Sequence, residues 1–153
     1  MLFTNQKIIR YLIIFASGFF FLLDRFLKYK AASEWIAPRA INRFLGWTPF
    51  LNDNAAFGLP ISSGIILTIT IPIIILLLAL AITEKKQMVC FFAWTMALAG
   101  AISNMIDRIV YGHVIDYFTF ATGIINIADI MIVAGLLSYL IAFKTTKAPR
   151  HNE

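Results

Sequence analysis

No charged side chain occurs between Asp53 and Glu84, and the run ISSGIILTITIPIIILLLALAIT, about residues 61–83, fills most of that interval. No other feature of the chain constrains its fold as tightly. In water such a run must be covered on every side, whereas a bilayer core about 30 Å thick needs roughly 20 such residues in one helix. Pro72 stands mid-run and is expected to kink the helix, which neighbouring helices accommodate. Three more segments share this character: about residues 8–27, 87–107 and 124–143. The sequence therefore predicts an all-α membrane protein of four transmembrane helices. One membrane domain covers residues 1–146, and residues 147–153 are expected to be a disordered basic tail.

Composition agrees. The chain is 60% hydrophobic and only 14% charged, where a soluble domain carries roughly 25% charged residues. That balance excludes a soluble globule and, more strongly, intrinsic disorder. The net charge of +5 is no sign of a nucleic-acid partner, because the chain has no solvated basic face to offer. The first apolar segment resembles a cleavable leader in having Lys7 and Arg10 ahead of it. Asp24-Arg25 follows it directly and no small-residue cleavage site precedes them, so it is read as a retained helix. Cys90 lies in an apolar run and is expected to be buried. With two histidines, His113 and His151, it offers no metal site, and no cofactor is expected.

Four crossings return both termini to one side. That side holds seven Lys and Arg residues and the other six, a weak preference for cytoplasmic termini. The acids are more lopsided: all five aspartates lie at or just inside the second face. Two connections cross that face, about residues 28–60 and 107–123. The longer one begins YKAASEWIAPR, expected as a short amphipathic helix ended by Pro38. It continues RFLGWTPFLN, whose aromatics and Gly-Trp-Thr-Pro turn predict a small β platform at the membrane surface.

An ionisable residue in a membrane span costs at least about 2.5–3.5 kcal/mol, so each is a candidate for function. Gly100, Asn104, Asp107 and Arg108 fall on one stripe of the third helix. Gly100 allows close helix approach, and a structural Asp107–Arg108 pair is the plainer reading of the charges. Asn126 and Asp129, three apart at the start of the fourth helix, share a face. They read either as a helix cap or as groups facing a common cavity. Asp116, flanked by apolar residues at period two, belongs on a short extended segment. The uncharged stretch YFTFATGIIN after it could fold back as a hairpin and bring Asp116 and Asp129 face to face. Two carboxyls held together in apolar surroundings do not both ionise, and such a pair can activate water as base while polarising a carbonyl as acid. Which of them keeps the proton is left open. Asp24 and Lys28, four apart with the acid first, read as a structural tether. Asn52 could hydrogen-bond an extended peptide, although a plain turn explains the residues around it.

The order of these patterns resembles the lipoprotein signal peptidase family, the bacterial type II signal peptidases, over nearly the whole chain. The resemblance rests on DRFLK after the first helix, NDNAAFG before the second and GAISNMIDR ending the third, then GHVIDYF and INIADIMI. It implies an aspartic endopeptidase of the inner membrane that removes signal peptides from prolipoproteins, just before a diacylglyceryl-modified cysteine. The termini would be cytoplasmic and the site extracytoplasmic. The family's catalytic pair falls on Asp116 and Asp129. Asn52, Asn104, Arg108 and Asn126 fall on positions that contact substrate or inhibitor. Asp24, Lys28 and Asp107 match supporting positions, with Gly100 and Gly112 counted beside them. Implied partners are prolipoproteins, membrane lipid and globomycin-type inhibitors. Two departures stand out. Asn54 replaces a glycine, and asparagine is the next-best residue for a left-handed turn. The stretch from Asp116 to Asp129 is shorter than is common, which bears on any lid it contributes and not on the dyad. A proton- or ion-coupled transporter is the alternative from another class. It calls for acids near mid-span and inverted repeats, and the sequence has neither.

Overall fold

The computed structural model describes residues 2–35, 37–53, 63–121 and 123–147. Among them are four long helices, α1 (Leu2–Ser33), α2 (Ser63–Thr83), α3 (Met88–Tyr111) and α4 (Ile127–Lys147). Each contains a stretch long and apolar enough to cross a membrane. α3 is the central helix and packs against the other three. Half of its membrane window is buried in protein, against 6% for α1 and for α2, whose apolar side chains face outward.

In lipid, apolar side chains gain little by touching each other, so close backbone approach at small residues decides the packing. α3 and α4 meet in this way. A Cβ on Gly100 would lie 2.4 Å from the Ala128 carbonyl oxygen, and one on Gly135 would lie 2.6 Å from that of Ala93. The contact at Gly100 is the close approach expected from the sequence.

The helix ends differ from the sequence expectation for identifiable reasons. The charges at Asp24, Arg25 and Lys28 do not end α1, because all three turn into the bundle and are paired there. YKAAS then continues the helix to Ser33, so the separate amphipathic helix does not form. Lys30 holds Glu34 at 2.6 Å, and the Glu34 and Trp35 N–H groups close on the Lys30 carbonyl. α3 runs four residues past Asp107, to Tyr111. Gly112 ends it in the left-handed conformation at φ 81° and returns its N–H to the Arg108 carbonyl at 3.1 Å. α4 begins at Ile127, because Ile124 and Ile125 pair as strand. It reaches Lys147, and residues 148–153 of the expected tail lie outside the described residues.

Four antiparallel strands sit over one end of the bundle: β1 (Arg39–Ala40), β2 (Leu45–Asn52), β3 (Val114–Phe120) and β4 (Gly123–Ile125), in that order. The platform is thus larger than expected, since the second polar connection supplies half of it. The hairpin expected after Asp116 is β3–β4, with Phe118 opposite Ile125. β2 pairs β3 with Trp47 opposite Phe118 and Asn52 opposite Val114, and an irregularity between Trp47 and Phe50 places Phe50 opposite Asp116. Beneath the sheet Ala31, Ile115 and Tyr117 form a buried cluster with Trp35 and Trp47 packed against it. Trp47 stacks on Tyr117 with ring centres 6.4 Å apart.

At the opposite end Arg10 donates to the Glu84 carbonyl and lies over the Phe91 ring. The Glu84 carboxylate accepts the Lys86 and Gln87 N–H groups, which hold its pKa below the usual range. Cys90 is buried, as expected, with its thiol donating to Gln87 Oε1.

Candidate active site

The polar groups that the sequence scatters over the chain converge where α1, α3, α4 and β3 meet. At the base is Lys28, wholly buried on α1. Its ammonium has three donors and uses all of them: Asp24 Oδ2 at 3.1 Å, Asp107 Oδ2 at 2.7 Å and Asn104 Oδ1 at 2.7 Å. A buried ammonium is tolerated only when paired and hydrogen-bonded in this way. The other Asp107 oxygen takes Arg25, and Oδ2 also accepts the Ile115 N–H at 3.3 Å, fastening β3 to α3.

The expected Asp107–Arg108 pair is therefore replaced. Consecutive residues on a helix do not face each other, so Asp107 points inward while Arg108 lies half-buried at the edge. The Arg108 Nε is buried and has no hydrogen-bond partner among the described residues. Asp24 and Lys28 are the tether expected of them, but at the centre of the network. Asp24 accepts Ser103 Oγ at 2.7 Å, the Tyr117 hydroxyl at 2.9 Å and the Ala128 N–H at 3.2 Å.

Above this base lie two asparagines and two aspartates. Asn126 precedes α4, and its Oδ1 accepts the Asp129 N–H at 2.8 Å while Asp129 Oδ2 accepts the Asn126 N–H at 3.3 Å. This is a reciprocal cap of the helix's first orphan donors. The Asn126 Nδ2 is left free to reach Asp116 Oδ1 at 2.6 Å and Asn104 Oδ1 at 3.2 Å. Because Asn104 Oδ1 accepts from both Lys28 and Asn126, its Nδ2 must turn the other way, and it donates to Asp129 Oδ1 at 2.8 Å. The Asp116 and Asp129 carboxylates are thus joined by a relay of two amides. Asn52, at the end of β2, completes Asp116 by donating to Oδ2 at 2.8 Å.

Asp116 is buried on β3, and its pKa rises to about 7. Burial is the largest cause and the nearby Asp129 charge the next. The Asn52 and Asn126 donors and the Lys28 charge pull the other way without winning. A carboxyl in this range exchanges its proton near neutrality, as general acid–base chemistry requires.

All the candidates named from the sequence that the structure describes fall in or beside this cluster. Gly100 and Gly112 act through the backbone, one at the α3–α4 contact and the other at the turn into β3. Of the NDNAAFG box only Asn52 and Asp53 are described. Asp53 is exposed 3.8 Å from His113, and the turn at Asn54 lies outside the described residues. Three participants were missed: Arg25, Ser103 and Tyr117. Ser103 carried a signal as a polar residue inside an apolar span. Tyr117 and Arg25 lie beside named aspartates in the sequence but reach different partners.

This arrangement has known counterparts. The sequence pattern of the signal peptidase (SPase) II family matches residues 16–145. A lipoprotein signal peptidase of Caldanaerobacter subterraneus subsp. tengcongensis is 34% identical over 138 residues, covering 83% of this chain and 93% of that one. One from Serratia marcescens is 29% identical, covering 92% and 89%. A bacterial membrane enzyme solved by the in meso method at 2.3 Å superposes with a TM-score of 0.82 at 29% identity, over 92% of this chain and 93% of its own. A match over most of its length, together with the four membrane helices, makes this chain a multi-pass membrane protease that belongs to the signal peptidase II family.

Proposed function

We propose that the chain is an aspartic endopeptidase that removes the signal peptide from diacylglyceryl-modified prolipoproteins, cutting just before the lipidated cysteine. Asp116 and Asp129 form its dyad. The observation that carries this reading is the amide relay through Asn126 and Asn104, which holds the buried Asp116 and the partly buried Asp129 carboxyls in one hydrogen-bonded unit. Charge supports it as well. The cluster holds four carboxyls, Asp24, Asp107, Asp116 and Asp129, against three cations, Arg25, Lys28 and Arg108. One proton shared by the dyad leaves it neutral, which is what a low-dielectric site favours.

In the reaction the ionised Asp takes a proton from water, whose oxygen attacks the scissile carbonyl. The protonated Asp gives its proton to the carbonyl oxygen. The tetrahedral intermediate then collapses, the C–N bond breaks, and the amine of the new N-terminal cysteine leaves with a proton from the dyad. Asn52, Asn104 and Asn126 keep the carboxyls in place and orient the substrate backbone. Arg108, with its Nε unengaged, is the group available to a substrate carbonyl or developing charge.

A substrate whose signal helix and acyl chains both lie in a bilayer meets a dyad placed at the end of the membrane helices at the right depth. We place the protein in the cytoplasmic membrane, termini inside and dyad outside, with globomycin-type cyclic peptides competing for the site. The test is purified protein in detergent or lipid with a diacylglyceryl-modified prolipoprotein. Release of the signal peptide by wild type, and its loss in Asp116→Asn and Asp129→Asn, is the expected result. Cleavage that persists in either variant would refute the dyad.

A further inference from the structure

Tyr117 follows Asp116 on β3, and consecutive strand residues point to opposite faces. While Asp116 turns toward Asn52 and Asn126, Tyr117 turns beneath the sheet and is 1% exposed. Its hydroxyl donates to Asp24 Oδ1 at 2.9 Å and accepts the Ile127 N–H at 3.1 Å. Ile127 is the first residue of α4, two before Asp129. The next N–H, of Ala128, goes to Asp24, and the third, of Asp129, goes to Asn126. The first three orphan donors of α4 therefore end on side chains of β3, α1 and the helix's own cap. The bond on Tyr117 links this helix end to the residue beside Asp116, and the Asn126 amide links it to Asp116 itself. Along the chain the path from Asp116 to Asp129 runs around the β3–β4 turn. The hydroxyl closes that excursion from below, as Asn126 closes it at the carboxyl.

We propose that Tyr117 is a positioning residue for hydrolysis: its hydroxyl, locked between Asp24 and the Ile127 N–H, sets the separation of Asp116 and Asp129. This rests on the dyad reading above. The ring is held by packing against Trp35 and Trp47, with centres 6.1 and 6.4 Å away, so removing the hydroxyl alone leaves the aromatic cluster filled. Burial and the Asp24 charge raise the phenol's pKa, which keeps it protonated as a donor. The charged groups around the dyad are Asp24, Arg25 and Lys28 from α1, Asp107 and Arg108 from α3, and the two aspartates themselves.

Tyr117→Phe tests this. Turnover per folded molecule should fall on the order of tenfold, with KM little changed, because a small misplacement of reacting groups costs rate more than binding. Looser carboxyls also repel each other less, so their two apparent pKa values approach and the bell of rate against pH narrows. Ile127→Pro removes the same hydrogen bond from its other end, at the helix position where proline is best tolerated. The double variant should then be no slower than the slower single one, since the hydrogen bond that Ile127→Pro removes is one of the two already lost in Tyr117→Phe. Wild-type kcat and bell width in Tyr117→Phe would overturn the proposal, as would additive losses in the double variant or losses that only track the folded fraction. If either Asp→Asn variant keeps turnover, the dyad falls instead. Inactive Asp→Asn variants beside a wild-type-like Tyr117→Phe refute Tyr117 alone.

Discussion

Asn126 uses the two halves of one amide for different purposes: its oxygen caps the Asp129 N–H at 2.8 Å, while its nitrogen donates to Asp116 at 2.6 Å. Helix cap and group facing a shared cavity are competing readings of the sequence, and in the structure one side chain both caps α4 and reaches Asp116. The start of α4 is thereby registered against β3. Anything that shifts the cap also shifts the proposed dyad.

This separates two substitutions. Asn126→Ser keeps a good capping oxygen but cannot reach Asp116, whereas Asn126→Ala loses both. Thermal unfolding in detergent should show the alanine variant about 1 kcal/mol less stable than the serine variant, the usual worth of a cap. Signal-peptide release should be impaired in both alike. A serine variant with wild-type activity would reduce Asn126 to a cap.

Gly100 and Gly135 offer a second comparison. Both lie at α3–α4 contacts where a Cβ would meet backbone at 2.4 and 2.6 Å, so alanine at either forces the helices apart. Each substitution should cost about 1–3 kcal/mol as overpacking. Gly100 contacts Ala128, the residue before Asp129, so Gly100→Ala should also stretch the Asn104–Asp129 bond and lower activity per folded molecule. Gly135→Ala acts deeper in the bundle and should leave that ratio near wild type. Equal activity losses would mean that the Gly100 contact does not hold Asp129 in place.

The sequence displayed the helices clearly, because an uncharged run that long has few other fates. It displayed the aspartates for the same reason, since a carboxyl at a membrane face needs an explanation. What it concealed was pairing. Asp107 stands beside Arg108 in the chain, yet a helix turns neighbours apart and brings in Lys28 and Arg25 from α1. The end of α1 was misplaced because charge reads as an exit from the membrane, while these charges are neutralised inside the bundle. Tyr117 was hidden because its partners, Asp24 and Ile127, depend on where β3 lies over the helices.

Lys28 allows a test of that concealed network. It is the only cation shared by Asp24 and Asp107 among the described residues, and all three side chains are fully buried. Lys28→Met should cost about 3–5 kcal/mol, because it leaves the buried Asp24 carboxylate with no paired cation among the described residues and Asp107 with Arg25 alone. Adding Asp24→Asn should recover part of the loss by removing the stranded charge. Thermal unfolding of the single and double variants measures both. A single variant as stable as wild type would mean that the buried carboxylates do not depend on Lys28.

The Asp116 carboxyl, finally, couples stability and rate to pH. Its pKa rises from an ordinary 3.8 to about 7 on folding, so between those values the folded chain holds a proton that the unfolded chain has released. Stability therefore falls as pH rises through that window and levels off above about pH 7, a total change of a few kcal/mol. Asp116→Asn is uncharged throughout and should lose this component, while every other titrating group stays common to both proteins. The expected result is a wild type that unfolds at a lower temperature at about pH 8 than at about pH 5, with a smaller difference in the variant. Turnover carries the same sign on its alkaline side. The proton that polarises the substrate carbonyl leaves the dyad as pH rises, so kcat should decline above neutrality. If wild type and Asp116→Asn share one stability–pH curve, Asp116 does not hold that proton, and the dyad's shared proton must lie on Asp129.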